Sequence, residues 1–221
     1  MGRIDVGGLY AAPAVPPSPN TVTVKAASVA DPSRTATASV TIINPVPTLG
    51  SISPTTIDAG SPDTTVTVTG ASFTPQSTVA VSSSSLSTTF VASTQLTAVI
   101  PAAQLASAGI LPVTVVTPSP GGGISSAANL AVQVVVSISP STQTLTVTQT
   151  QAFTATVTGS ADQGVNWTVN DVAGGDATLG TINASGLYTA PAVPPSPNTV
   201  TVKAASVADP SRTATASVTI I

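Results

Sequence analysis

The chain has 221 residues, 42% of them hydrophobic and only 6% charged, which supplies enough apolar material for real cores in one large or two small domains. The net charge is −3 and the five basic residues, Arg3, Lys25, Arg34, Lys203 and Arg212, are scattered, so no positive stripe exists to hold phosphates and nucleic acid is excluded as a partner. Histidine and cysteine are absent, which removes disulfide staples, the usual metal ligands and the usual base of a serine nucleophile.

All eight acidic residues are Asp, Lys is rare, and Thr, Val and Ser dominate. Helix formers are therefore missing and the composition predicts an all-β chain. In chain order, MGRIDVGGLY carries no charged-then-apolar signal segment; if the parent protein is exported, Met1 is not its natural start. Period-two alternation then recurs in NTVTVKA from Asn20, TTVTVTG from Thr64, STVAVSS from Ser77, LPVTVVT from Leu111 and QAFTATVTG from Gln151, as half-buried antiparallel strands require. Turn signals separate these runs at Ser53-Pro54, Asp58-Ala59-Gly60, Ser61-Pro62-Asp63, Gly121-Gly122-Gly123 and Gly174-Gly175-Asp176, a rhythm that predicts β-sandwiches. The longest apolar runs, such as Leu130 to Ile138, are strand-length, so no membrane insertion is expected.

Residues 12–43 return unchanged as residues 190–221. A repeat at that spacing exceeds one small domain, so the repeating unit is expected to be a pair of domains within an array. Three segments follow: a partial domain at 1–44, a complete sandwich at 45–134 and a second at 135–221. Both complete segments open alike, LGSISPTTI from Leu49 and VVSISPSTQTL from Val135, predicting a first strand that runs into a proline-bent edge. One joint, Asn44-Pro45-Val46-Pro47, is stiffened by proline; at the other, Leu130 to Val136, a strand is expected to run straight through. Together these predict a semi-rigid rod.

The middle segment resembles the IPT/TIG immunoglobulin-like family, through SPTTI, VTVTGASF, TQLTAVIP and PVTVVTPSPGG in the family's order. The last segment resembles bacterial immunoglobulin-like (BIG-type) domains, through SISPSTQTLTVTQTQAFTATVTG, VNWTVND, GTINASGLYTAP and TATASVTI. These resemblances imply tandem immunoglobulin-like sandwiches in an elongated array on secreted or cell-surface bacterial proteins, where such domains serve as spacers, stalks or adhesive modules. Residues 4–43 repeat only the second half of the BIG-type domain, from Ile4, the counterpart of Ile182.

The individual candidates favour bland roles. Trp167, in VNWTVN, sits where such sandwiches bury an aromatic and is assigned to the core rather than to a sugar platform. Tyr10 and Tyr188, in GLYAAP and GLYTAP, are expected to be buried with hydroxyls bonded to backbone. Asp162, Asp171 and Asp176, with Asn166 and Asn170, lack a calcium-loop motif and are assigned to Asx turns. Asp31 and Asp209 form turns before proline, with Arg34 and Arg212 as neighbouring surface charges. Lys203 is an exposed lysine rather than half of an isopeptide crosslink, for want of a buried acidic catalyst. Asn166-Trp167-Thr168 and Asn183-Ala184-Ser185 fit the glycosylation sequon. No catalytic residue, metal site or cofactor is expected, and no enzyme.

A half-sandwich at 4–43 cannot bury both faces of its strands. Its complement comes either from a longer array or from a neighbouring chain in a head-to-tail fibre. The function predicted is a structural repeat unit of an extracellular or cell-surface filament, stalk or fibre whose partners are neighbouring copies of the repeat. The alternative is a carbohydrate-binding or adhesive module that takes surface glycans.

Overall fold

The alternating Thr and Val runs become strands, because β-branched side chains fit a pleated surface buried on one face. The structure, a computed structural model, describes residues 2–221; the expectation about Met1 lies outside them. Among the described residues there are 25 strands and one short 3-10 helix. The chain divides into two compact units, one with residues up to Thr55, Asp63–Pro101 and Ile110–Leu130, the other with Thr56–Pro62, Ala102–Gly109 and Ala131–Ile221.

The N-terminal strands are β1 (Arg3–Ile4), β2 (Tyr10–Ala11), β3 (Thr21–Ala27) and β4 (Thr35–Thr41). β1 and β2 pair across a turn in which Asp5 Oδ1 accepts from the Gly7 and Leu9 amides, at 2.9 and 2.8 Å. β3 and β4 form a hairpin in register from Thr21↔Thr41 to Ala27↔Thr35, and the two make a sheet by themselves. Their connection is an Asx turn: Asp31 Oδ1 accepts from the Ser33 hydroxyl and amide. The Ser33 hydroxyl first, then its amide, holds the Asp31 carboxyl below the ordinary carboxylate range. The joint expected at Asn44-Pro45-Val46-Pro47 is anchored at Asn44, which is buried. Its amide donates to the Pro120 carbonyl, its side chain donates to the Pro118 carbonyl, and its own carbonyl accepts from Gly122.

The middle strands are β5 (Thr48–Ser53), β6 (Thr56–Asp58), β7 (Thr64–Ala71), β8 (Thr78–Val81), β9 (Ser84–Ser85), β10 (Ser87–Ala92), β11 (Gln95–Ile100), β12 (Gly109–Thr117), β13 (Gly123–Ile124) and β14 (Ala128–Gln133), with the 3-10 turn at Ala102–Leu105. One sheet runs β10-β11-β7-β5 and the other β6-β14-β12-β8-β9, with β13 against β12. The chain changes sheets at the proline bend: β5 pairs with β7, and beyond Ser53-Pro54 the short β6 pairs in parallel with β14. Alternate residues point inward, as the period of two demands. Val66, Val68, Leu96 and Ile100 of one sheet, and Val79, Val113, Val115 and Leu130 of the other, are all fully buried.

The last strands are β15 (Val135–Ser139), β16 (Thr142–Leu145), β17 (Thr150–Ala152), β18 (Thr154–Thr158), β19 (Val165–Val169), β20 (Val172–Ala173), β21 (Gly175–Asp176), β22 (Gly180–Ile182), β23 (Leu187–Thr189), β24 (Thr199–Ser206) and β25 (Thr213–Ile220). The strand expected to run through Leu130 to Val136 is interrupted at Val134, where pairing changes from β14 with β6 to β15 with β18. The proline switch recurs: beyond Ser139-Pro140, β16 leaves the partner of β15 and pairs in parallel with β25. The larger sheet runs β16-β25-β24-β19-β20, faced by β17-β23-β22-β21. Between them lies a continuous core of Leu145, Phe153, Trp167, Val169, Ile182, Tyr188, Val200, Val202, Val218 and Ile220. Gly186 makes its turn at φ +82°, and a Cβ there would stand 2.9 Å from the Trp167 ring, so only glycine serves.

Candidate functional site

Counting back 178 positions from the last strands lands on the first ones, so each core residue of β24 and β25 has a twin in β3 and β4. The local geometry is duplicated. Both hairpins keep one register, from Thr199↔Thr219 to Ala205↔Thr213 in β24 and β25 and from Thr21↔Thr41 to Ala27↔Thr35 in β3 and β4. Both close on the same Asx turn, with the Ser211 hydroxyl 2.6 Å from Asp209 Oδ1 as Ser33 is from Asp31. Both are laced by an asparagine, Asn198 to the Ile220 carbonyl and Asn20 to the Ile42 carbonyl.

The surroundings are not duplicated. Val200, Val202, Ala204, Ala216 and Val218 are buried, while Val22, Val24 and Val40 are half-exposed and Ala26 and Ala38 exposed. Ile182 is 5% exposed and its twin Ile4 52%. Tyr188 is fully buried and donates its hydroxyl to the Leu179 carbonyl at 2.6 Å, whereas Tyr10 is half-buried. Ile42, like its twin Ile220, is buried, but the rest of the apolar face of β3 and β4 is partly open to solvent, and among the described residues neither outer edge of that pair has a strand partner. An uncovered apolar face with two open edges is an interaction surface by the ordinary physics of sheets.

The residues singled out from sequence separate into core, turn and ion-pair roles. Trp167 is in the core, 8% exposed, on β19 opposite Ala204. Tyr188 has the backbone-bonded hydroxyl expected of it, and burial pushes its pKa up to about 12. The acidic group at the end of the last sandwich does not converge. Asp162 accepts from the Gly164 amide in its own loop. Asp176 accepts from the Thr178 hydroxyl and the Thr178 and Leu179 amides, which hold its carboxyl below the ordinary range, the hydroxyl contributing most. Asp171 instead pairs with Lys203, and Asn170 accepts from the Thr201 amide at 2.7 Å. Lys203 is therefore a half-buried lysine paired with Asp171 rather than an exposed one. Asn166 and Asn183 are exposed, and Asn183 Oδ1 accepts from the Ser185 hydroxyl and the Ser185 and Leu187 amides. Among the described residues no group of three or more His, Cys, Asp or Glu side chains is placed to hold a metal ion.

Arg212 departs from the expectation of a surface charge. Its Nε donates to the Val134 carbonyl at 2.8 Å and its Nη2 to Asp58 Oδ1 at 3.1 Å, with the side chain 29% exposed. Its twin Arg34 is 85% exposed beside Asp31. No signal in the sequence separates them, because their neighbours in the chain are identical.

These features define a protein of tandem immunoglobulin-like β-sandwiches. Within it, residues 47–132 match the IPT/TIG domain family, a typically non-catalytic domain type. No curated protein matches the sequence. Among solved structures, the chain is similar to the adhesin InvE of Yersinia pseudotuberculosis, at 16% identity over 79% of this chain and 58% of that one, with a TM-score of 0.30. It is also similar to SGBP-B of the Bacteroides ovatus mixed-linkage glucan utilization locus, solved with a mixed-linkage heptasaccharide, at 12% identity over 91% and 52%, with a TM-score of 0.32. The I9-I11 tandem from titin gives 13% identity over 92% and 74%, with a TM-score of 0.31. The chain spans a little over half the length of the first two. No helix among the described residues is long and apolar enough to cross a membrane.

Proposed function

We propose that the chain is a non-catalytic structural repeat module of an extracellular or cell-surface bacterial filament, stalk or fibre, joined to its neighbours by strand complementation. Its building blocks are a half-domain at 1–44, the IPT/TIG-type sandwich at 45–134 and the BIG-type sandwich at 135–221. The observation that carries this is the apolar face of β3 and β4: the same residues that form a sandwich core at one end of the sequence stand uncovered at the other. Such a face supports a module that packs against further strands of its kind, since burying apolar surface is the dominant favourable term in association.

A sugar-binding module needs exposed aromatic platforms. Trp167, Tyr188, Phe73 and Phe153 are buried and Tyr10 is half-buried, which leaves Phe90 as the one exposed ring among the described residues. Immunogold labelling of intact cells of the source bacterium is the test. Label on surface filaments or stalks is expected; label confined to the cell interior overturns the proposal. Glycan-array binding that is lost in Phe90→Ala would favour the adhesive alternative.

A further inference from the structure

We propose that Asn183 is a glycan acceptor, its side-chain amide taking an N-linked sugar in a turn whose geometry does not itself require asparagine.

The turn between β22 and β23 occurs a second time between β1 and β2, with Asp5 in the place of Asn183. Each Oδ1 accepts from the amides two and four residues further on: from Gly7 and Leu9 at 2.9 and 2.8 Å at Asp5, and from Ser185 and Leu187 at 3.0 Å each at Asn183. The main-chain bonds repeat as well. The Gly8 amide donates to the Asp5 carbonyl and the Gly186 amide to the Asn183 carbonyl, both at 3.0 Å, while the Asp5 and Asn183 amides donate to the Leu9 and Leu187 carbonyls at 3.0 and 3.1 Å. Gly8 and Gly186 close the two turns at φ +85° and +82°. Asp-Val-Gly-Gly therefore builds the same turn as Asn-Ala-Ser-Gly. The fold asks only for a side-chain oxygen at the first position and glycine at the fourth.

What Asn183 and Ser185 add over Asp5 and Gly7 is chemistry. Asn183 is exposed, and among the described residues its Nδ2 has no hydrogen-bond partner, because every bond to this side chain enters through Oδ1. The Ser185 hydroxyl is fixed beside it, donating to Oδ1 at 2.7 Å. A free carboxamide nitrogen with a hydroxyl two residues on, in an exposed turn, is what an Asn-X-Ser/Thr acceptor needs. The other sequon lacks this setting. Asn166 lies within β19, paired with Ala205, and the hydroxyl two residues on, at Thr168, is buried.

The co-reactant is a sugar activated at its anomeric carbon by a phosphate leaving group, together with a transferase. Asn183 Nδ2 forms the bond to that carbon as the bond from carbon to phosphate oxygen breaks; the phosphate leaves with the electron pair, and one Nδ2 proton passes to a base of the transferase. The product is still an amide. Oδ1 keeps its place, so the three bonds that enter it survive the modification.

Glycopeptide mass spectrometry of the full chain, purified from the source bacterium, tests this. A sugar is expected on the peptide that carries Asn183 and none on the peptide that carries Asn166. Asn183→Asp and Ser185→Gly reproduce what Asp5 and Gly7 already do, so each is expected to keep the far-UV circular dichroism of the parent chain while losing the sugar outright; Ser185→Thr keeps it. Asp5→Asn combined with Gly7→Ser writes the acceptor into the twin turn and is expected to add a second sugar there. Bare Asn183 in the parent chain, or a sugar on Asn166 instead, overturns the proposal. A sugar that persists in Asn183→Asp sits on a hydroxyl and overturns it equally, and one that persists in Ser185→Gly rejects the part given to the serine. A twin that stays bare beside a modified Asn183 contradicts the claim that this turn presents the acceptor. Immunogold labelling is unaffected by any of these results, so the filament role and the acceptor site fail separately.

Discussion

The hairpins β3–β4 and β24–β25 share their side chains, register and closing Asx turn, yet one forms half of a sealed core and the other presents the same face to water. Local structure here follows local sequence: Thr-Val alternation sets the strands, and Asp31 or Asp209 sets the turn. Burial does not, because it depends on whether another stretch of chain lies across the face. In the last sandwich that stretch is β15–β21, which extends the sheet with Trp167 and Val169 beside the valines and adds Phe153 to the same core. Each fully buried aliphatic side chain is worth about 1.5–3 kcal/mol relative to exposure, so the same residues carry very different weight in the two places.

The largest effect is expected from removing the cover. Trp167→Ala empties the centre of the last core and should cost about 3–5 kcal/mol in urea unfolding, read by far-UV circular dichroism because the change deletes the only tryptophan. Next comes a matched pair, with Trp167 fluorescence as a reporter of the last sandwich. Val202→Ala should lower its stability by about 2 kcal/mol, through lost burial and the cavity left behind, whereas Val24→Ala should shift it by less than about 0.5 kcal/mol. Equal effects from the two would break the contrast.

A smaller effect separates the tyrosines. Tyr188→Phe deletes the bond to the Leu179 carbonyl and should cost about 1 kcal/mol at neutral pH, while Tyr10→Phe leaves the Trp167-reported transition unchanged. Because burial raises the Tyr188 pKa from 10.0 to about 12, the unfolded chain ionises first as pH rises. The stability held below pH 10 is then lost progressively toward pH 12. Tyr188→Phe should remove that part of the alkaline slope. An unchanged slope would mean that Tyr188 does not carry it.

Much of the fold was legible in the sequence because its signals are local. The runs at Thr64, Gln151 and Asn20, and the proline bends at Pro54 and Pro140, become strands and sheet switches where the alternation and the missing proline N–H place them. The assignment of Trp167 to the core was legible for the same reason. The roles of Arg212 and Lys203 were not. Arg34 and Arg212 sit in identical stretches of sequence, and Asp58 and the Val134 carbonyl reach only one of them; likewise Lys203 meets Asp171 while Lys25 is exposed. Such pairings are set by residues far away in the chain, as is the cover over β24 and β25.

The central claim, that identical hairpins differ only in what covers them, is tested most directly by hydrogen exchange of the peptide shared by residues 21–29 and 199–207 in the unmodified chain. Two populations of equal weight are expected, one exchanging fast from β3 and one slowly from β24. A single slow population would contradict the account.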